Sequence, residues 1–213
     1  MRRARDFVFD LDNTLYPVST IYDEIGDRMT AYIARALSVD AAEALVVRER
    51  YFHAYGATVT GLARHHGVDA HDFMADVHDV DYSVLRPDPE LAALLAQLPG
   101  RRIVFTNGGG GHGQRALERL GLTDLFEHVF DLEDMGFAPK PELAAYERLI
   151  AACSIDPKRT VFVEDTLKNL EPAHGLGFST VLVGPVHPEP NPAYVDARFV
   201  DAKAFLRAYL AGA

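Results

Sequence analysis

Apolar positions recur along this chain in two rhythms. Short runs of β-branched and aromatic residues stand at FVF (7–9), RIVF (102–105), HVF (128–130), TVFV (160–163) and STVLV (179–183), with a weaker one at ARFV (197–200). Each has strand length and strand composition. Between them GQRALERLG, PELAAYERLIAAC and LKNLEPAHGLG show helical spacing, and two of the three end at glycine, a common helix stop. Strands alternating with helices predict an α/β domain built on a mostly parallel sheet.

The first connection breaks this rhythm. From Asp12 to Thr106 is 94 residues, far longer than an ordinary crossover. Its content reads as several helices. In the first of them Ile21, Ile25, Met29, Tyr32, Ile33, Ala36 and Leu37 trace one amphipathic face. The pattern predicts an all-helical unit over 16–88, inserted after the first strand, with 1–15 and 89–213 forming the core. RPDPE (86–90), with its two prolines, is expected as the hinge back. The proline-rich GPVHPEPNP (184–192) is expected as a surface connection.

Composition narrows the class. With 213 residues, 48% of them hydrophobic, the chain can bury a substantial core. A net charge of −10 argues against a nucleic-acid polymer or an anionic membrane as partner, though not against a small phosphorylated molecule. No apolar run approaches the roughly 20 residues needed to span a bilayer. The basic start MRRAR leads into an apolar run that Asp10 breaks, too short for a signal peptide. Cys153, the lone cysteine, excludes an intramolecular disulfide and is expected as a buried small hydrophobe. The expectation is a cytoplasmic protein, monomer or homodimer.

In an open parallel sheet, ligands bind outside the carboxyl ends of the strands. Asp10, Asp12 and Thr14 follow the first strand and Thr106, Asn107 and Gly108 the second. Lys140 lies in the loop after the third, and Glu164 and Asp165 end the fourth. Crowded carboxylates repel, and a hard divalent cation is the usual remedy. Oxygen-only ligands favour Mg²⁺ over zinc. Mg²⁺ keeps room for a phosphate oxygen. Thr106, the backbone N–H groups around Gly108 and Lys140 would meet the remaining phosphate oxygens. One carboxylate can then attack while another transfers protons.

These stretches together resemble the haloacid dehalogenase superfamily of phosphohydrolases. DLDNT matches its first motif, Thr106 the second, Lys140 in PKPE the third and Glu164-Asp165 the fourth, in order and spacing over essentially the whole chain. The resemblance implies a Rossmann-like parallel sheet with an all-helical cap of type C1 between the first and second strands. It implies that Asp10 attacks phosphorus to form an aspartyl-phosphate, and that Asp12 protonates the leaving alkoxide and then activates water. Mg²⁺ would be held by Asp10, the backbone carbonyl of Asp12, and Asp165. Thr106, Asn107, Gly108 and Lys140 would bind the transferring phosphoryl group. Many relatives carry two aspartates where this chain has Glu164-Asp165, so Glu164 is assigned a supporting role beside Thr14 and Asn169.

Dehalogenating relatives release halide without a proton and lack the second aspartate, so Asp12 favours a phosphatase. DLDNTLYP, the segment YFHAYGATVTGLARHHGV with DVHDVDY, and VEDTLKNL resemble the pyrimidine 5′-nucleotidase branch. That implies a pyrimidine nucleoside 5′-monophosphate as substrate; a sugar phosphate or phosphoglycolate is the alternative. Tyr22, His53, Tyr55 and Arg64 are the cap residues expected against the substrate, where an aromatic or guanidinium could stack on a base.

Three rival readings fit less well, and one of them, a catalytically silent interaction protein, would have little reason to keep all four motif elements. Gly108-x-Gly110-x-x-Gly113, with Asp131 closing the next strand, approaches a dinucleotide-binding fingerprint, but it sits mid-chain and leaves Asp10, Asp12 and Lys140 unexplained. A phospho-receiver module also gathers acids, Thr and Lys around Mg²⁺, but has no use for the long insertion. His65 and His66, adjacent on a helix, point apart and read as solvated positions. Leu143, Tyr146, Leu149 and Ile150 read as helix packing.

Overall fold

The apolar run Phe7-Val8-Phe9 becomes β1 (Asp6–Phe9), the strand around which everything else is arranged. The computed structural model describes residues 4–185 and 190–212. On one side of β1 lie β2 (Arg101–Phe105) and β3 (His128–Phe130). On the other lie β4 (Thr160–Glu164), β5 (Ser179–Val183) and β6 (Ala197–Phe199). The order is β3-β2-β1-β4-β5-β6 and every pairing is parallel. Six runs foreseen in the sequence thus become the six strands of this sheet, the Rossmann-like arrangement expected.

Parallel strands are buried on both faces, and alternation divides their side chains between two cores. Phe7, Phe9, Val104, Val161 and Val163 pack on one face with α5 (Pro89–Ala96), α6 (His112–Leu120) and α9 (Ala202–Leu210). Val8, Ile103, Phe105 and Phe162 pack on the other with α7 (Leu143–Cys153) and α8 (Leu167–Leu176).

Before α5, the long first connection forms the α-helices α1 (Ser19–Leu37), α2 (Ala41–Tyr55), α3 (Thr58–His66) and α4 (Ala70–Val77). Its amphipathic face serves two cores in turn. Ile21 and Ile25 pack with the sheet-side cluster, whereas Ile33 packs into a third cluster with Val47, Tyr51, Leu62, Phe73 and Val77. Leu132, from the loop after β3, completes that third cluster, so the helices rest on the ends of the strands.

Several details differ from the sequence expectation. RPDPE does not interrupt structure but starts it: Pro89 opens α5, and the Asp88 carboxylate accepts the Leu91 N–H at 3.0 Å. Proline suits a first helical turn, whose N–H groups have no intrahelical partner. Leu143 is half exposed rather than packed, although Tyr146 and Leu149 are buried. Cys153 is half-buried, not sealed. His65 and His66 are exposed as expected, but each Nε2 meets a tyrosine hydroxyl, Tyr55 at 2.6 Å and Tyr51 at 2.7 Å. Residues 186–189 of the proline-rich connection lie outside the described residues.

Candidate active site

Register brings the candidate residues together. Phe9 pairs with Val104 and with Val163, so β1, β2 and β4 end at one level. Asp10 continues the ladder through its N–H to Val163 O (2.9 Å), and Thr106 through its N–H to Phe130 O (3.1 Å). The strand order reverses beside β1, and at such a switch point the connections part and leave a crevice.

At its centre is a buried charge cluster. Lys140 Nζ donates to Asp10 Oδ1 (2.7 Å), Phe105 O (2.7 Å) and Glu164 Oε2 (2.9 Å), which uses all three of its protons. Burial alone would discharge this ammonium, but the two carboxylates more than offset it and hold its pKa above the ordinary lysine range. Burial, then the neighbouring Glu164 charge, pushes the Asp10 carboxyl up to about 7. Burial likewise pushes Glu164 up to about 7. Two sealed acids thus share one cation. Thr14 Oγ1 donates to Asp10 Oδ2 at 3.0 Å and steadies its second oxygen.

Glu164 is already satisfied. Its Oε1 accepts the N–H groups of Asp165 and Thr166 (both 3.1 Å), and its Oε2 accepts Asn169 Nδ2 (3.1 Å) besides Lys140. It ties the β4–α8 loop to the lysine. Among the described residues Asp165 accepts only the Thr166 hydroxyl, at 3.0 Å, and it is half-buried. Ligand oxygens of Asp10, Glu164 and Asp165 lie within 4.8 Å of one another. An all-oxygen set with more negative charge than its lysine balances fits a hard divalent cation. Glu164 accepts two hydrogen bonds on each oxygen, whereas Asp10 accepts one on each and Asp165 one from Thr166, so Asp10 and Asp165 keep more lone pairs toward a cation.

The second-strand residues divide their work. Thr106 Oγ1 accepts the Gly108 N–H at 3.0 Å, which leaves its proton to donate. The Asn107 amide is not turned to a ligand: it donates to Lys140 O (3.0 Å) and accepts Lys140 N–H (2.8 Å), clasping the lysine loop. Nor does Lys140 keep a proton for phosphate; its direct partner is Asp10.

Asp12 lies in a separate polar cluster that the sequence reading missed. Its Oδ1 accepts a short hydrogen bond from the Tyr16 hydroxyl and another from His112 Nε2 at 3.0 Å; Oδ2 stands 3.3 Å from the same nitrogen. Burial opposes ionisation of Asp12. His112 and Tyr16 outweigh it and hold the carboxyl below its usual range. Behind His112, the Tyr82 hydroxyl meets Nδ1 at 2.8 Å, and the buried His78 ring lies 4.8 Å away. Tyr16 stands in DLDNTLYP, four residues after Asp12, while His112 follows a glycine run and belongs to no motif that marks it.

A cavity of about 250 Å³ opens over Asp12, Asn107 and Gly108, walled by α1, α2 and α4. Tyr22, Met29, Phe52, Phe73 and Met74 make it largely apolar, with Arg48 and Glu49 among its polar residues. Of the four expected substrate contacts only Tyr22 lines it. Tyr55 pairs with His65, the Arg64 guanidinium lies over the Tyr55 ring 5.4 Å from its centroid, and the His53 ring packs beside Phe52. The glycine run shows no nucleotide cradle: the Gly110 N–H donates to Glu133 Oε1 (2.7 Å), and Asp131 accepts the N–H groups of Glu133 and Asp134 in its own turn.

Sequence comparison aligns the chain at 28% identity over 196 residues with phosphate metabolism protein 8 of Saccharomyces cerevisiae, covering 83% of this chain and 60% of that one. It aligns at 28% over 194 residues with the glyceraldehyde 3-phosphate phosphatase of Methanopyrus kandleri, covering 83% and 82%. Among solved structures, L-2-haloacid dehalogenase from Xanthobacter autotrophicus, with chloropropionic acid covalently bound, superposes with a TM-score of 0.64 at 20% identity, over 99% of this chain and 100% of that one. The chain also matches the haloacid dehalogenase-like hydrolases over residues 7–177, a span that runs from β1 through Asp10, Thr106, Lys140 and Asp165 to the end of α8. This chain belongs to the haloacid dehalogenase-like hydrolase family.

Proposed function

We propose that the chain is a Mg²⁺-dependent phosphatase that hydrolyses a small phosphate monoester through an aspartyl-phosphate on Asp10, with a pyrimidine nucleoside 5′-monophosphate as substrate. Residues 1–15 and 89–213 act as the catalytic core and 16–88 as the cap. The observation that carries the reading is Asp12: a second carboxylate, two residues from Asp10, that lines the floor of the cavity. Halide departs without a proton and needs no such group, whereas an alkoxide does.

In the first step an Asp10 oxygen bonds to phosphorus as the ester P–O bond breaks, and a proton that Asp12 has taken up from solvent passes to the departing oxygen, returning Asp12 to the ionised form that His112 and Tyr16 favour. In the second, water bonds to phosphorus as the Asp10–phosphorus bond breaks, and Asp12 takes the water's proton back. Lys140 and Thr14 hold Asp10 in place for attack, and Thr106 with the backbone N–H groups near Gly108 donates to the phosphoryl oxygens. Asp10, Asp165 and the Asp12 carbonyl would hold Mg²⁺, which when bound withdraws charge from those oxygens.

The aromatic side chains of Tyr22 and Phe52 at the cavity support a flat base as part of the leaving group. The Methanopyrus relative, named a glyceraldehyde 3-phosphate phosphatase, supports a sugar phosphate as the second reading. Phosphate release from pyrimidine and purine 5′-monophosphates, glyceraldehyde 3-phosphate and p-nitrophenyl phosphate, with and without chelator, tests both. We expect Mg²⁺-dependent turnover with pyrimidine nucleotides first. Activity indifferent to chelator, or retained in Asp10→Asn, overturns the mechanism; equal turnover of all esters removes only the nucleotide assignment.

A further inference from the structure

We infer that His112 is a positioning residue for Asp12: it selects which carboxyl oxygen transfers the proton, and it is held in turn by Tyr82, from the segment that leads back from the helices to the sheet. The inference rests on the phosphatase reading.

The geometry is asymmetric. Asp12 Oδ1 receives both the Tyr16 hydroxyl and the closer approach of His112 Nε2, 3.0 Å against 3.3 Å for Oδ2. A carboxylate oxygen only accepts, so Nε2 carries a proton. An oxygen that accepts two hydrogen bonds behaves as the carbonyl oxygen of a protonated carboxyl group, and the proton then resides on the other. Oδ2 is therefore the oxygen that gives the proton to the leaving group and later takes one from water. Asp12 keeps 30% of its side chain exposed, whereas His112 is sealed at 1%.

His112 cannot turn away from this task. In the neutral imidazole Nδ1 accepts from the Tyr82 hydroxyl, 2.8 Å away, and that oxygen also lies 3.2 Å from His78 O. Arg115 Nη2 donates to the same His78 carbonyl at 3.0 Å. On the other flank, a Cβ on Gly108 would stand 2.6 Å from His112 Cδ2. Glycine at 108 is thus required by the ring's close approach. Tyr82 lies in the 3-10 turn Tyr82–Val84, just before α5, so the segment joining α4 to α5 reaches Asp12 by way of His112, which Tyr82 and the His78 ring both meet.

A buried histidine that served packing alone would, on replacement, cost every substrate alike. A positioning role predicts selectivity by leaving group, because p-nitrophenolate departs without a proton and an alkoxide does not. The test compares kcat/KM, which reports the first step, for an alkyl phosphate and for p-nitrophenyl phosphate in wild type, His112→Phe, His112→Gln and Tyr82→Phe, with melting curves to verify folding. For His112→Phe we expect a loss of about 100-fold or more on the alkyl ester. On p-nitrophenyl phosphate the loss should not exceed roughly tenfold, with KM nearly unchanged. His112→Gln, whose amide can still donate to Oδ1, should recover part of the alkyl activity, and Tyr82→Phe should show a smaller loss with the same selectivity. Equal losses on both esters in Gln and Phe variants that fold overturn the inference while leaving the phosphatase reading intact. Should His112→Phe not fold, Tyr82→Phe and His112→Gln decide by the same ratio. A wild-type protein that releases no phosphate from either ester sinks both.

Discussion

Lys140 Nζ lies 2.7 Å from Asp10 Oδ1, and neither side chain has more than a tenth of its surface open to solvent. The lysine comes from the loop before α7 and the aspartate from the end of β1, 130 residues earlier. Their contact makes the nucleophile part of a sealed charge cluster in which Glu164 is the third member. Such a cluster is sensitive to any change in its count of charges, since low polarity magnifies both pairing and its loss.

Asp10→Asn should therefore abolish turnover yet stabilise the metal-free protein at neutral pH. The Asp10 carboxyl is raised to about 7 from an ordinary 3.8, so its ionisation opposes folding as pH climbs through that range. The sign follows from linkage: the native state holds the proton more tightly than the unfolded chain, and that contribution is lost as pH rises. Chemical denaturation at pH 8 without Mg²⁺ should give a gain of at least about 1 kcal/mol. A loss of stability would contradict this account.

Lys140→Met acts the other way. It leaves Asp10 and Glu164 buried with no cation between them, and we expect a loss of about 3–5 kcal/mol. Added Mg²⁺ should restore part of it by supplying the missing positive charge. Unfolding midpoints in chelator and in excess Mg²⁺ provide the check.

Glu164 and Asp165 should separate cleanly. Asp165→Asn is expected to weaken Mg²⁺ binding, read as a smaller rise in melting temperature on adding the metal, with little change in the metal-free melting point. Glu164→Gln should instead lower the metal-free melting temperature by several degrees, since an amide has one acceptor oxygen where Glu164 uses two to accept four hydrogen bonds.

His78 carries a pH signature of its own. Burial lowers its pKa from 6.5 to about 3, so it stays neutral in the fold while the unfolded chain takes up a proton. Its contribution is complete above pH 6.5 and declines below, by about 1.4 kcal/mol per pH unit until about pH 3. Between pH 7.5 and 5 the stability advantage of wild type over His78→Asn should shrink by about 2 kcal/mol, in unfolding experiments at matched ionic strength.

Much of this arrangement was legible along the chain because local signals agreed. Short continuous apolar runs of β-branched and aromatic residues mark buried strands, and residues that follow such runs collect at one edge of a parallel sheet. Asp10, Thr106, Lys140 and Glu164 needed no more than that to be brought together. Two local signals misled. Pro89 resembled a break and proved a helix start, because a first-turn position demands no N–H. The Asn107 amide resembled a phosphate donor but clasps the Lys140 backbone, a contact across 33 residues that no spacing rule foretells.

The sequence by itself determined the strands, the long helical insertion and the acids, hydroxyl and lysine at the strand ends, since these depend on periodicity and chain order. Only the tertiary structure decided how those groups divide their labour. It closed Glu164 into its own loop, left Asp165 open, and placed His112, Tyr16 and Tyr82 around Asp12. The physical reason is that hydrogen bonds between distant segments depend on where packing leaves a donor and an acceptor within about 3 Å, and composition is silent about that distance.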